Sequence, residues 1–338
     1  MMYKKIFTIV FISLLFTSCF KEDVLIPGHE PGEVSTMIIP MTMYYTNQVY
    51  FNLENGEIVS SNNRSIFDLN FSCNDTSTII RLNSANFAKA SETMYDKLED
   101  VTDTTGLNWK FDSSDGNSNS IAILNWININ NNDTAYSNKV WVINRGIDAL
   151  GIKLGLKKIQ FNRLVEGKYY FTFSNMDNSG HVEDFVTKDD SYSYLQYSFV
   201  KEGLEQTQPE HSDWDLLFTQ YTTLLFTDEG LPYPYLVTGV LQSFNNTNVS
   251  LDTNHIFNNI TISDTSNFDF SNRLDKIGYE WKELIGDVNS GDIYYEIKIN
   301  NNYIIKDNSS YYYKLRFINF YDPVTGEKGY PTFEYQQL

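Results

Sequence analysis

The chain has 338 residues, 41% of them hydrophobic and 15% aromatic, which supplies a substantial core and excludes a disordered protein. Its 43 acidic and 25 basic side chains leave a formal charge of −18, which repels phosphate backbones and argues against a nucleic-acid partner. With 24 Tyr and 23 Phe beside many Thr, Ile and Asn, the composition leans toward sheet.

The chain opens on MMYKKIFTIVFISLLFTSC. Lys4 and Lys5 precede an apolar run from Ile6 to Phe16. At 11 residues the run is too short to span a bilayer and fits the hydrophobic region of a secretory signal. Thr17 and Ser18 lead into Cys19, and the pattern resembles a bacterial lipobox, with Phe16 where Leu is more usual. That resemblance implies cleavage of residues 1–18 and lipidation of Cys19. Lys21, Glu22 and Asp23 resemble an export signal that sends lipoproteins of some Gram-negative bacteria to the outer face of the outer membrane. Residues 19–46, with Pro27, Gly28, Pro31 and Gly32, are then expected to be a tether. With Cys19 acylated, Cys73 has no partner for an internal disulfide and is expected as a small buried side chain in a strand.

Beyond the tether the dominant pattern is period-two alternation, the mark of half-buried strands. ANFAKASETMYDKLEDV (85–101) is one of two better helical candidates. In WDLLFTQY, Trp214, Leu216 and Phe218 share a face. SNRLDKIG (271–278) is the second helical candidate, with Gly278 as a C-terminal stop. In YYKLRF, Tyr313, Leu315 and Phe317 point one way and Lys314 and Arg316 the other. YDPVTGEKGY carries turn chemistry, and PTFEYQ alternates again through Phe333 and Tyr335.

Six short blocks recur in the same order. QVYFNLENG (48–56) matches QYSFVKEG (196–203), FDLNF (67–71) matches WDLLF (214–218), and GLNWK (106–110) matches GYEWK (278–282). VWVIN (140–144) matches NYIIK (302–306), KKIQF (157–161) matches YKLRF (313–317), and YYFTFSN (169–175) matches GYPTFEYQ (329–336). The collinear order implies an internal duplication, with repeats at 47–180 and 190–338 forming two related β-rich lobes. The repeated Asp of the FD and WD pairs is expected at a turn or edge beside a buried aromatic.

Chemical motifs are scarce. His29, His181, His211 and His255 form no HxxxH, HxH or HExxH pair, and no Cys/His spacing suggests zinc. There is no GxSxG, no P-loop and no GxGxxG opening a helix. DSSDGNSNS (112–120) fails as a calcium loop, because Phe111 stands where the first Asp ligand belongs. Many carboxylates beside aromatics would also furnish a glycosidase cleft, but no pair stands out. No catalytic residue and no metal site is assigned, and the chain is expected not to be an enzyme.

HSDWDLLFTQYTT, YPYLVTGVL, RLDKIGYEWK, YIIKDNSSYYYKLRFINFYDPVTGEKGYPTFEYQ and the upstream GLKKIQF resemble the HmuY family of outer-surface lipoproteins. The resemblance is strong from Tyr194 to the C-terminus and weaker from Gln48 to Phe173. It implies an all-β fold of two HmuY-like lobes with a few short helices. It also implies that haem is captured at the cell surface and passed to a TonB-dependent outer-membrane transporter. In family members two histidines, or methionines, from the stretch between the WD and Y-x-I-K strands clamp the iron. Here the stretch from Phe244 to Asn301 holds one histidine, His255, and no methionine, while the corresponding stretch of the first half offers Met94. His255 and Met94 are therefore the candidate haem ligands, a lone ligand holding haem five-coordinate. The other reading is a surface lipoprotein of the same fold that binds a glycan, a peptide or a protein partner.

Overall fold

The alternation of YYKLRF is realised as a strand whose two faces are both used. Tyr313, Leu315 and Phe317 enter a core, while on the opposite face Lys314 donates its Nζ to the Ile260 carbonyl at 2.9 Å. Beside it, Arg316 pairs with Glu334 of the adjacent strand at 2.7 Å. The same alternation recurs throughout the structure, a computed structural model that describes residues 31–130, 133–287 and 290–338. The signal segment, Cys19 and His29 lie outside the described residues.

The strands in chain order begin with β1 (Ser35–Ile38), β2 (Asn47–Asn52), β3 (Glu57–Asn63), β4 (Leu69–Ser72), β5 (Ile80–Leu82) and β6 (Lys89–Glu92). Next come β7 (Ile127–Asn130), β8 (Asp133–Tyr136), β9 (Val140–Asn144), β10 (Leu156–Val165), β11 (Lys168–Ser174) and β12 (Val182–Thr187). The chain continues through β13 (Tyr194–Ser198), β14 (Gly203–Leu204), β15 (Leu216–Phe226), β16 (Pro232–Gln242) and β17 (Asn248–Asp252). It ends with β18 (Lys282–Asp287), β19 (Asp292–Ile297), β20 (Asn302–Lys306), β21 (Tyr312–Tyr321) and β22 (Lys328–Gln337). Helical structure among the described residues is confined to short 3-10 turns, so the fold is all-β as expected.

Two five-stranded sheets, β1-β22-β21-β20-β17 and β12-β11-β10-β9-β6, are accompanied by two four-stranded sheets, β14-β13-β4-β5 and β16-β15-β2-β3. The hairpins β7-β8 and β18-β19 complete the set. The first core draws on Phe71, Cys73, Trp126, Trp141, Phe161, Phe171 and Tyr197. The second draws on Val49, Phe51, Leu216, Phe218, Trp281, Phe317 and Phe333, with Trp281 stacked on Phe317 at 3.9 Å between ring centroids.

The cores interleave along the chain. β2, from the first half, pairs with β15 of the second, Phe51 opposite Leu216. β13, from the second half, pairs with β4 of the first, Tyr197 opposite Leu69. Residues 32–338 form one compact unit. The expected boundary between 180 and 190 therefore does not separate the cores, because each four-stranded sheet takes strands from both halves. The strand register also shifts the match of 48–56 with 196–203 by two residues. In both places the repeated Asp caps a backbone amide beyond the partner strand. Asp215 accepts from the Leu53 amide at 2.8 Å and Asp68 from the Phe199 amide at 2.7 Å. Both carboxylates are buried.

Three expectations need correction. The tether does not run to residue 46: β1 pairs with β22, and Ile39 and Met41 are fully buried in the second core. Apolar side chains in TMIIPM find a sheet edge there, which outweighs the Pro/Gly character upstream. Residues 85–101 are not a helix, because Lys89–Glu92 pair with β9 and Phe87 takes a left-handed φ of 61°. Residues 271–278 are not a helix either: a single turn, closed by the Lys276 amide on the Arg273 carbonyl at 3.1 Å, lies between backbone bridges of Ser271 to Val249 and Gly278 to Val240. In each helical candidate, pairing with a neighbouring strand overrides intrinsic propensity.

Candidate functional site

β17 is the edge strand of its sheet, and it ends on Asp252, a buried residue. The Asp252 carboxylate accepts from the Asn254 and His255 amides at 3.2 Å each, folding LDTNH into a tight turn. The same carboxylate lies 3.0 Å from His255 Nδ1. Burial works to raise the Asp252 carboxyl, but the hydrogen bonds from the His255 ring and the two amides outweigh it, and the net shift is downward. The loop is held from behind as well, since Asn302 of β20 donates its side-chain amide to the His255 carbonyl at 2.8 Å.

This arrangement fixes the tautomer. A carboxylate can only accept, so the neutral ring carries its proton on Nδ1 and leaves the Nε2 lone pair free. The His255 side chain is 49% exposed. The ring of Phe268 meets it edge-on at 6.0 Å, and Ile256 and Ile262 stand exposed nearby in sequence. A basic imidazole nitrogen beside apolar surface, oriented by a carboxylate, is what a soft-to-borderline metal centre such as haem iron takes as an axial ligand.

The other described histidines differ. His211 lines a cleft of about 710 Å³ with Cys73, Tyr192, Tyr194 and Phe244. However, Asn245 Nδ2 donates both to the His211 carbonyl at 3.2 Å and toward its Nδ1 at 3.1 Å, which puts the ring proton on Nε2. His181 is an exposed side chain with Nε2 3.6 Å from Glu183. Met94 is 79% exposed and follows β6, while its carbonyl accepts from Lys139 Nζ at 2.8 Å. β6 pairs with β9 as β17 pairs with β20, so Met94 and His255 sit at matching ends of two different sheets. Among the described residues no group of three or more His, Cys, Asp or Glu is arranged to hold a metal ion.

Sequence reading named His255 and missed Asp252 and Asn302. The D-x-x-H spacing of LDTNH was the available signal for Asp252, whereas Asn302 reaches the loop only through the β17–β20 pairing.

The HmuY protein family matches residues 44–335. The chain belongs to the HmuY family. The membership sets this chain among binding proteins rather than enzymes. No curated protein matches it. Among solved structures it is similar to apo PinO from Porphyromonas gingivitis, at 10% identity over 90% of this chain and 97% of that one, with a TM-score of 0.30. The apo HmuY analog of Tannerella forsythia is similar at 10% identity over 91% and 98%, with a TM-score of 0.24. A putative lipoprotein from Bacteroides fragilis is similar at 11% identity over 90% of each chain, also with a TM-score of 0.24. The family assignment rests on the match over 44–335 and not on these structural likenesses.

Proposed function

We propose that this HmuY-family chain is a lipid-anchored surface protein that captures haem through His255 and passes it to a TonB-dependent outer-membrane transporter. The carrying observation is the Asp252–His255 pair, which presents Nε2 outward in the tautomer a metal requires. Family membership supports haem as the cargo, and the lipobox resemblance at Cys19 supports attachment to the outer membrane. Bound haem would supply an iron atom with an open axial position, and the neutral imidazole is the group able to fill it. Asp252 holds the ring in orientation and in the tautomer with the proton on Nδ1. His255 is then the one protein ligand, and Met94, which follows a strand of another sheet, is not needed for binding.

The test is a haemin titration of the protein beginning at residue 20, followed by its Soret band. A saturable shift at one haem per chain is expected. His255→Ala should abolish it, and Asp252→Asn should weaken affinity by roughly ten-fold or more. Met94→Ala and His211→Ala should leave it unchanged. A flat titration, or an unchanged one in His255→Ala, sinks the assignment.

A further inference from the structure

A second cleft, of about 610 Å³, lies between the segment 109–124 and the end of β15, with Arg273 and Asp275. Its volume is within the range of small-ligand sites, roughly 300–1,000 Å³. Its walls are aromatic and apolar: Trp109 and Phe111 on one side, Leu224 and Phe226 on the other. Phe226 is 65% exposed, an unusual cost for a phenylalanine unless something covers it.

The polar groups of the cleft are mixed donors and acceptors, with an Arg273–Asp275 pair and one further cation, the exposed Lys110. Ser114 donates to Asp275 Oδ2 at 2.6 Å and lies 2.9 Å from the Thr223 hydroxyl. Arg273 pairs with Asp275 through Nε at 3.1 Å, so its charge is largely answered within the site. Asn119 and Ser120 add an amide and a hydroxyl on the rim. No His, Met, Cys or Tyr lines the cleft, so haem iron would find no axial ligand there. A cleft lined by aromatic rings with hydroxyl, amide and carboxylate groups suits a ligand with apolar C–H faces and a hydroxyl-bearing edge.

We propose that this cleft binds an oligosaccharide, its sugar faces against Trp109, Phe111 and Phe226 and its hydroxyls on Ser114, Asp275 and Asn119. The site is separate from the His255 loop and stands whether or not haem binds.

Trp109 makes the site readable. It is half-buried, whereas Trp126, Trp141, Trp214 and Trp281 are only 1–3% exposed. Intrinsic fluorescence of the full chain without its signal is titrated with maltotriose, cellotriose, chitotriose and mannotriose. At least one trisaccharide should quench the emission saturably. The quench should be lost in Trp109→Phe, and the half-saturation concentration should rise at least ten-fold in Phe226→Ala, whose exposed side chain carries no folding role. Asp275→Asn should weaken binding similarly while circular dichroism stays unchanged. The proposal is overturned if no trisaccharide quenches at millimolar concentration, or if quenching survives Phe226→Ala undiminished. Quenching by indole-3-acetate with none by any sugar also overturns it, marking an apolar-anion cleft instead.

Discussion

Asp215 and Lys282 carry opposite pH signatures into the second core. Burial, reinforced by the nearby charges of Asp307 and Glu54, pushes the Asp215 carboxyl up to about 7, and its Oδ1 has no hydrogen-bond partner. At the matching place in the first half, Asp68 is raised by burial too, but Arg145 pulls against that shift through a 2.7 Å pair. Where Arg145 follows β9, Asp307 follows β20, so a cation on one side is replaced by a carboxylate on the other. Between about pH 4 and pH 7 folded Asp215 holds a proton that the unfolded chain has released, so its contribution falls as pH rises. Burial brings the Lys282 ammonium down to about 7, although it lies 4.3 Å over the Trp281 ring and donates to the Thr238 carbonyl. Between about pH 7 and pH 10.4 the unfolded chain holds the lysine proton and the folded chain does not, so this contribution rises with pH. Together the two groups cost most near neutral pH. Urea unfolding across pH should show Asp215→Asn removing the acid-side slope and stabilising by on the order of 1 kcal/mol or more at pH 8. A slope that persists in Asp215→Asn would assign it to other carboxylates.

At the scale of elements, close backbone approaches decide what alternation leaves open. A Cβ placed on Gly239 of β16 would meet the Gly278 carbonyl oxygen at 2.3 Å, because the bridge between Val240 and Gly278 draws the two backbones together. Gly239→Ala is therefore expected to destabilise by about 1–3 kcal/mol through overpacking, read as a lower urea midpoint at unchanged slope. An unchanged midpoint would mean the 271–278 segment yields freely. The same bridge explains why SNRLDKIG is not helical: its ends are fixed on β17 and β16 by backbone bridges, which leaves room between them for one turn only. Gly278 does take a positive φ of 64°, but at a strand crossing rather than at a helix end.

At the scale of the whole molecule, the interleaved sheets set which pieces can fold. β2 supplies Val49 and Phe51 to the second core and receives the Asp215 cap beyond its end. A fragment of residues 190–338 lacks this strand and β1, and it is expected to be unable to unfold cooperatively. Joining residues 32–63 to the C-terminus through a flexible linker should restore a cooperative transition and native-like near-ultraviolet dichroism. A cooperative transition in 190–338 alone would show that the second core does without β2. The seam between the cores is polar as well: Gln48 bonds Thr207 at 3.0 Å, and Thr222 donates to the Ser84 carbonyl at 2.9 Å. Arg64 reaches the Ala85 carbonyl across the same boundary.

The sequence by itself determined the β class, the family and the inward faces of the strands, because side-chain alternation is local and has only two possible phases. It also named His255 as the lone histidine of its stretch. Tertiary structure decided everything that depends on which strand lies beside which: that β2 crosses to β15, that Lys89–Glu92 is a strand, and that residues 32–46 belong to the fold. It decided the site as well. Asp252 could be suspected from spacing, but only the turn at the end of β17 turns His255 Nε2 outward. Trp109 and Phe226, 117 residues apart in the chain, line one cleft only because the tertiary fold brings their segments together.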